Sequence, residues 1–384
     1  MRTIITKRGG VLVCAGVVIA ALISCGFPTA TESRETSNEP PLESASQDSV
    51  PTDPSSGSGG SFENENSASS DSSMDPDSEE STEDSFENDG SVEDTVNIDP
   101  DSSGPYRVFI EDGVAVPGAD GRMTEVRICS PSETGESRIA NDRFPLILIF
   151  PGFQLERSQY ASYCDFFASW GFVTMTTTYS ESGFGIDHDH LANDVSPMID
   201  WAVSAQESIS ESIDASAIGV GGHSLGGKIA IMAAGLDPRI GVVLGWDPVE
   251  GMGPTVIPER VQAIEAPMLL IGETLDAEGF FQACAPEDGN YARFFEAAPN
   301  IALQVTLNGA DHMDWVDDPS CFVCRLCKSG ELDDARVKAF TRRTSVAFAR
   351  RYLMDDESMD RYLVGSIMDE DEAAGLVSIQ AKGL

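Results

Sequence analysis

A succession of short, uninterrupted apolar runs constrains this chain most. Phe144 to Phe150 reads FPLILIF, Gly171 to Tyr179 reads GFVTMTTTY, and Ala217 to Gly222 reads AIGVGG. Ile240 to Trp246 (IGVVLGW), Met268 to Gly272 (MLLIG) and Ile301 to Leu307 (IALQVTL) continue the series. A strand with one wet face alternates apolar and polar residues. These runs do not alternate, so both of their faces must be covered. The stretches between them read as helices: QYASYCDFFASW, DHLANDVSPMIDWAVSAQ, KIAIMAAGLDP and the long segment Asp333 to Leu353. Strands separated by helices predict an α/β fold, a mostly parallel central sheet with helices on both faces. Upstream, YRVFIEDGVAV and MTEVRICSPS predict antiparallel edge strands. In such sheets, ligand chemistry gathers at the carboxyl ends of the strands.

Composition sets where this fold begins. The chain has 384 residues and a net charge of -40. Residues 1–25 place Arg2, Lys7 and Arg8 before the apolar stretch Val11 to Ile23, which ends in Leu22-Ile23-Ser24-Cys25. That order predicts a secretory signal, and the run falls short of the ~20 residues of a membrane span. LISC resembles the lipobox of bacterial lipoproteins, which makes Cys25 the expected lipidation site. The chain is therefore expected to be exported, anchored through that lipid alone, and to face the periplasm or the cell exterior. In residues 26–104, acidic side chains outnumber basic ones by 21 to one, Arg34. Such a segment cannot bury enough apolar surface to offset its lost entropy, and it reads as a disordered, self-repelling tether. The folded domain is expected over residues 105–384. Its acidic excess offers no basic stripe to neutralise phosphates, which argues against a nucleic-acid partner.

Within that domain, Gly222-His223-Ser224-Leu225-Gly226 fits G-x-S-x-G, between the strand AIGVGG and the helix-like KIAIMAA. This is the context of a nucleophile elbow, the strained turn of the α/β-hydrolase fold that lifts a serine oxygen above the sheet. Glycines flank the serine because side chains there would strike the neighbouring strand or helix. Ser224 is thus the candidate nucleophile, and it needs a base to take its proton.

The chain has four histidines. His223 adjoins the serine and should point away from its oxygen. His188 and His190 precede Ser224, whereas the fold orders its residues serine, acid, histidine. His312, in NGADHMDW after the last of the apolar strands, alone satisfies that order. His188 and His190 read as part of a solvated acidic loop, with metal ligation alongside Asp187, Asp189 or Asp194 the competing reading. Two acids lie between Ser224 and His312 at strand ends, Asp247 in WDPVEG and Asp276 in GETLD, and spacing does not separate them. The oxyanion formed in acyl transfer needs backbone N–H groups. Leu225 supplies one; Phe153, in the loop PGFQLERSQY, is the candidate for the other. The apolar loop residues Phe153, Leu155, Phe184 and Phe280 point to an apolar acyl or alcohol group. None of this chemistry requires a metal or an organic cofactor.

Six cysteines remain beyond the signal: Cys129, Cys164, Cys284, Cys321, Cys324 and Cys327. An even number in an exported chain predicts disulfides, whose connectivity the sequence leaves open. CFVCRLC would also suit metal-ligand spacing, although His312 is the one nearby histidine and no second CxxC pair exists.

PGFQLERSQYASYCDFFASWGFV, GHSLGGKIAI, WDPVEG, CAPEDGNYARFF and DHMDWVDD together resemble the chlorophyllases, α/β-hydrolases that cleave a carboxylic ester. Bacterial cutinase-like polyester hydrolases share PGF, the serine elbow and the IGETLD region. The two resemblances imply different acids: Asp247 by the chlorophyllases and the distantly similar platelet-activating-factor acetylhydrolases, Asp276 by the cutinase-like enzymes. The closer matches around CAPEDGNYARFF and DHMDW favour Asp247, with Asp276 the alternative. Chlorophyllases typically carry arginine where this chain has Leu225, so the resemblance implies ester cleavage more directly than it implies chlorophyll. The expected function is a serine hydrolase of small-molecule or polymeric esters. The competing expectation is a non-catalytic surface binding module on the same fold.

Overall fold

The computed structural model describes residues 99–139, 142–181, 183, 185–204, 208–251, 253–277, 284–321 and 323–384. The expected signal segment with Cys25, the expected tether up to residue 98, Phe184 and Phe280 lie outside the described residues. Residues 99–104, assigned to the tether on composition, pack on the domain. The Asp99 carboxylate accepts from the Tyr362 hydroxyl at 3.1 Å, the Ser102 carbonyl from Trp170 Nε1 at 3.0 Å, and the Gly104 N–H donates to Ser169 Oγ at 3.0 Å. The boundary expected at residue 105 therefore moves earlier, because side chains from later in the sequence hold this polar stretch.

In chain order the strands are β1 (Arg107–Pro117), β2 (Met123–Ser132), β3 (Phe144–Phe150), β4 (Val173–Thr178), β5 (Ile213–His223), β6 (Ile240–Trp246), β7 (Met268–Glu273), β8 (Ala302–Leu307) and β9 (Val377–Lys382). The helices are α1 (Ala161–Ser169), α2 (His188–Val203), α3 (Leu225–Ala234), α4 (Tyr291–Ala297), α5 (Asp334–Leu353) and α6 (Ser366–Ala373). The strands form one sheet in the order β1-β2-β4-β3-β5-β6-β7-β8-β9. Neighbours from β4 through β8 pair in parallel, while β1, β2 and β9 join antiparallel. β2 is an inner strand, hydrogen-bonded on both sides, so of the two expected edge strands only β1 lies at an edge.

The uninterrupted runs are explained by two cores, one on each face of the sheet. Along β3, Leu146, Leu148 and Phe150 enter the core shared with α2, α3 and α4, while Ile147 and Ile149 enter the core shared with α1 and α5. Period-two alternation therefore sends neighbours into different cores, and both need apolar side chains. Helix ends follow local chemistry. The Asp187 carboxylate caps α2 by accepting from the His190 N–H, and Asp333 caps α5 by accepting from the Ala335 N–H. Arg350 and Arg351 close α5 at its negative end. The result places the ends of β5, β6, β7 and β8 side by side, and the candidate residues sit on the loops that leave them.

Candidate active site

The turn from β5 into α3 holds Ser224 at φ 55° and ψ −119°, a conformation that costs a non-glycine residue energy. Close packing enforces it. A Cβ on Gly222 would lie 2.5 Å from the Gly226 backbone, and one on Gly226 would lie 2.0 Å from the Phe150 carbonyl oxygen. The serine backbone is tied on both sides: its N–H donates to the Trp246 carbonyl at 3.0 Å, and its carbonyl accepts from Lys228 and Val249.

His312 arrives on the loop after β8. Its Nε2 lies 2.9 Å from Ser224 Oγ, and its Nδ1 lies 2.6 Å from Asp247 Oδ2. With the carboxylate accepting from Nδ1–H, Nε2 presents a lone pair to the serine hydroxyl. Asp247 follows β6 directly, at φ 43°, and is fully buried. Burial pushes its carboxyl above the ordinary range, while the hydrogen bond to His312 pulls it back. Asp276 occupies a different position. Its Oδ2 accepts from the His312 backbone N–H at 3.1 Å, and its Oδ1 accepts from the Lys328 N–H at 3.0 Å. One candidate acid therefore meets the imidazole and the other holds the backbone of the same histidine.

His223 points away from the serine oxygen and into a buried relay. The Gly152 N–H donates to the Tyr160 oxygen at 3.1 Å, which lies 2.8 Å from His223 Nδ1, and Nε2 lies 2.8 Å from the His312 carbonyl oxygen. The carbonyl can only accept, so Nε2 carries the proton and the Tyr160 hydroxyl donates to Nδ1. Burial and the adjacent His312 hold His223 far below the usual histidine range, which keeps it neutral. This relay joins the loop of Phe153 to the loop of His312, and pairwise motif reading gave no sign of it.

Two lobes open from Ser224. One, of about 160 Å³, is lined by Leu155, His312, Met313 and the cysteines 284, 321, 324 and 327. The other, of about 370 Å³, is lined by Leu225, Ile186, Val249 and His188. Phe153 borders both, so Leu225 and Phe153 share the cavity with Ser224. All six cysteines pair, as Cys129–Cys164, Cys284–Cys327 and Cys321–Cys324. The CFVCRLC sulfurs are thus bound to other sulfurs and are not thiolate ligands. The acidic loop divides. His190 is half-exposed in a cluster with Glu181 and Arg122, Asp194 pairs with Arg122 at 2.9 Å, and Asp189 pairs with Arg260 at 2.5 Å. His188 instead lines the larger lobe, a location the solvated-loop reading missed.

A mostly parallel sheet that lifts a serine on a strand-to-helix elbow, opposite a histidine from the loop after β8, defines an α/β-hydrolase. Residues 120–376 match the chlorophyllase family, and the chain belongs to it. It is 25% identical to Chlorophyllase-1 of Arabidopsis thaliana over 267 residues, which span 62% of this chain and 79% of that protein. At the level this family supports, the chain is a carboxylic ester hydrolase.

Proposed function

We propose that the chain is a serine esterase acting through Ser224, His312 and Asp247 and an acyl-enzyme intermediate. The observation that carries this reading is the continuous path from Ser224 Oγ to His312 Nε2, at 2.9 Å, and from His312 Nδ1 to Asp247 Oδ2, at 2.6 Å. Ser224 Oγ attacks the ester carbonyl carbon as its proton passes to His312 Nε2, and Asp247 stabilises the resulting imidazolium. The oxyanion takes hydrogen bonds from the backbone N–H groups of Leu225, at the positive end of α3, and Phe153. When the carbon–oxygen ester bond breaks, Nε2 returns its proton to the departing alcohol. Water then gives a proton to Nε2 and attacks the acyl carbon; the bond from that carbon to Ser224 Oγ breaks as Nε2 returns the proton to Oγ, which releases the acid and restores Ser224 and His312.

This assignment also orients the substrate. The leaving oxygen must face His312, so the alcohol belongs in the lobe that His312 lines and the acyl group in the lobe beside Leu225. The relative's name points to chlorophyll, but Leu225 stands where chlorophyllases typically carry arginine. Ester cleavage is therefore the inference that transfers, with chlorophyll one ester to be tested among several. We also retain the proposal that the enzyme is exported and lipidated at Cys25.

A fluorophosphonate probe tests the central claim. The folded protein is expected to be labelled at Ser224, with labelling lost in Ser224→Ala and in His312→Ala. An unlabelled Ser224 in folded protein would favour the binding-module reading.

A further inference from the structure

We propose that the larger lobe selects acyl groups whose apolar arm carries a second, uncharged carbonyl oxygen, and that His188 Nε2–H is the donor that recognises it. The inference rests on the esterase reading, because that reading makes this lobe the acyl side.

His188 opens α2, and its side chain turns inward to line the lobe, leaving the residue only 9% exposed. Its Nδ1 is sealed from solvent and has no hydrogen-bond partner among the described residues. That edge of the ring packs on Gly253, where an added Cβ would lie 2.7 Å from Nδ1. The ring's contribution to the lobe therefore comes from its Nε2 side. The segment against which it packs is fixed from below: the buried ammonium of Lys228 donates to the carbonyls of Glu250 at 2.5 Å and Pro254 at 2.8 Å.

Protonation follows from this enclosure. Burial, followed by the Lys228 charge, holds His188 below the usual histidine range, so the ring is neutral near pH 7 and carries one proton. A buried N–H without an acceptor is rarer and costlier than a buried lone pair without a donor. The proton therefore resides on Nε2. Away from Ser224 at its mouth, the rest of the lobe is apolar side chain, from Phe153, Ile186, Leu225 and Val249, or glycine. An apolar cavity with one convergent polar group orients a ligand by that group. A carboxylate on the arm would leave water for a lobe that no cationic side chain among the described residues lines, and that desolvation disfavours it. A neutral ketone, ester or amide oxygen meets every condition.

The test compares nitrophenyl esters of straight-chain keto acids, of hydrocarbon acids of equal length and of the matching half-acids, with the carbonyl position varied along the chain. Wild-type enzyme should favour the best keto ester over its hydrocarbon partner by roughly tenfold in kcat/KM, the worth of one neutral hydrogen bond. The gain should appear mainly in KM, and half-acids should be the poorest. His188→Phe should bring the keto and hydrocarbon series to the same efficiency, while His188→Gln, which keeps a donor, should retain part of the preference. Equal use of both series by wild type, or a keto preference that survives in folded His188→Phe, would overturn the proposal. Should His188→Phe fail to fold, the wild-type preference and His188→Gln still decide. Failure to cleave any ester, together with an unlabelled Ser224, would instead remove the esterase reading and this inference with it.

Discussion

Asp247→Asn and Asp276→Asn should separate two carboxylates that both touch His312. Asp247 Oδ2 lies 2.6 Å from His312 Nδ1 and the residue has no exposed surface. An asparagine there keeps the shape but loses the charge that stabilises the imidazolium. Its amide can also donate to Nδ1, which moves the imidazole proton to Nε2 and leaves no lone pair for the serine. Comparable replacements in serine hydrolases reduce turnover by about ten-thousandfold, or ~5.5 kcal/mol of transition-state stabilisation. KM should change little, because Asp247 does not line either lobe.

Asp276 acts on backbone only. Its two oxygens accept from the N–H groups of His312 and Lys328. Asparagine can accept from one of them but must turn its NH₂ group toward the other. The cost is one charge-assisted hydrogen bond plus one unpaired buried donor, about 1–3 kcal/mol of stability. Turnover should fall less than tenfold where the variant is folded. Steady-state kinetics on a soluble nitrophenyl ester, below the melting temperature of both variants, gives the comparison. A loss in Asp276→Asn as large as that in Asp247→Asn would refute the assignment of the acid.

Replacing both Cys284 and Cys327 by serine opens a closure that spans 43 residues; chain entropy predicts a loss of about 4 kcal/mol in urea unfolding. The same change should raise KM for bulky alcohols, since both sulfurs line the lobe assigned to the alcohol. Glu273 is buried and, chiefly through burial, its carboxyl is pushed up from 4.5 to about 8. Between those values the folded state holds a proton that the unfolded chain has released, so its contribution to stability falls as pH rises from 4.5 to 8. Glu273→Gln mimics the protonated form and should raise the melting temperature at the top of that window relative to wild type, with the difference vanishing at its foot. An equal difference at both pH values would contradict the assigned shift. Cys25→Ser should move the protein from the membrane fraction to the soluble fraction and abolish incorporation of labelled fatty acid; unchanged fractionation would remove the anchor.

Much of the fold was legible because the apolar runs carry two independent constraints at once. IGVVLGW predicts β6 to the residue, since each of its side chains must suit one of two cores. β9 and α6 carried no comparable signal. VSIQAK buries only Val377 and lies at the sheet edge, so its antiparallel pairing with β8 rests on backbone hydrogen bonds that leave no mark on composition. The acid was ambiguous for a similar reason. Asp247 directly follows β6, whereas Asp276 comes after β7 has ended at Glu273. Both positions are strand ends. Which carboxylate reaches the ring depends on a local turn, Asp247 at φ 43°, that no spacing rule encodes.

The two histidines of DHDH show where a sharper reading was available. By composition the run reads as one solvated loop, because acidic residues surround it. Yet α2 buries Leu191, Val195, Met198, Ile199 and Ala202, a face that recurs every three or four residues. Extending that face back one turn from Leu191 reaches His188 and skips His190, and the structure buries the first and leaves the second half-exposed among charges. Asp187, with its carboxylate one residue before the helix, marks where the periodicity begins. Helical phase and capping together thus separate a residue that lines the cleft from its neighbour two positions away, which composition treats as identical. Because His188 lies on the face that builds the core, its one exposed edge is held by packing, and that fixed orientation is what the proposed discrimination between acyl groups requires.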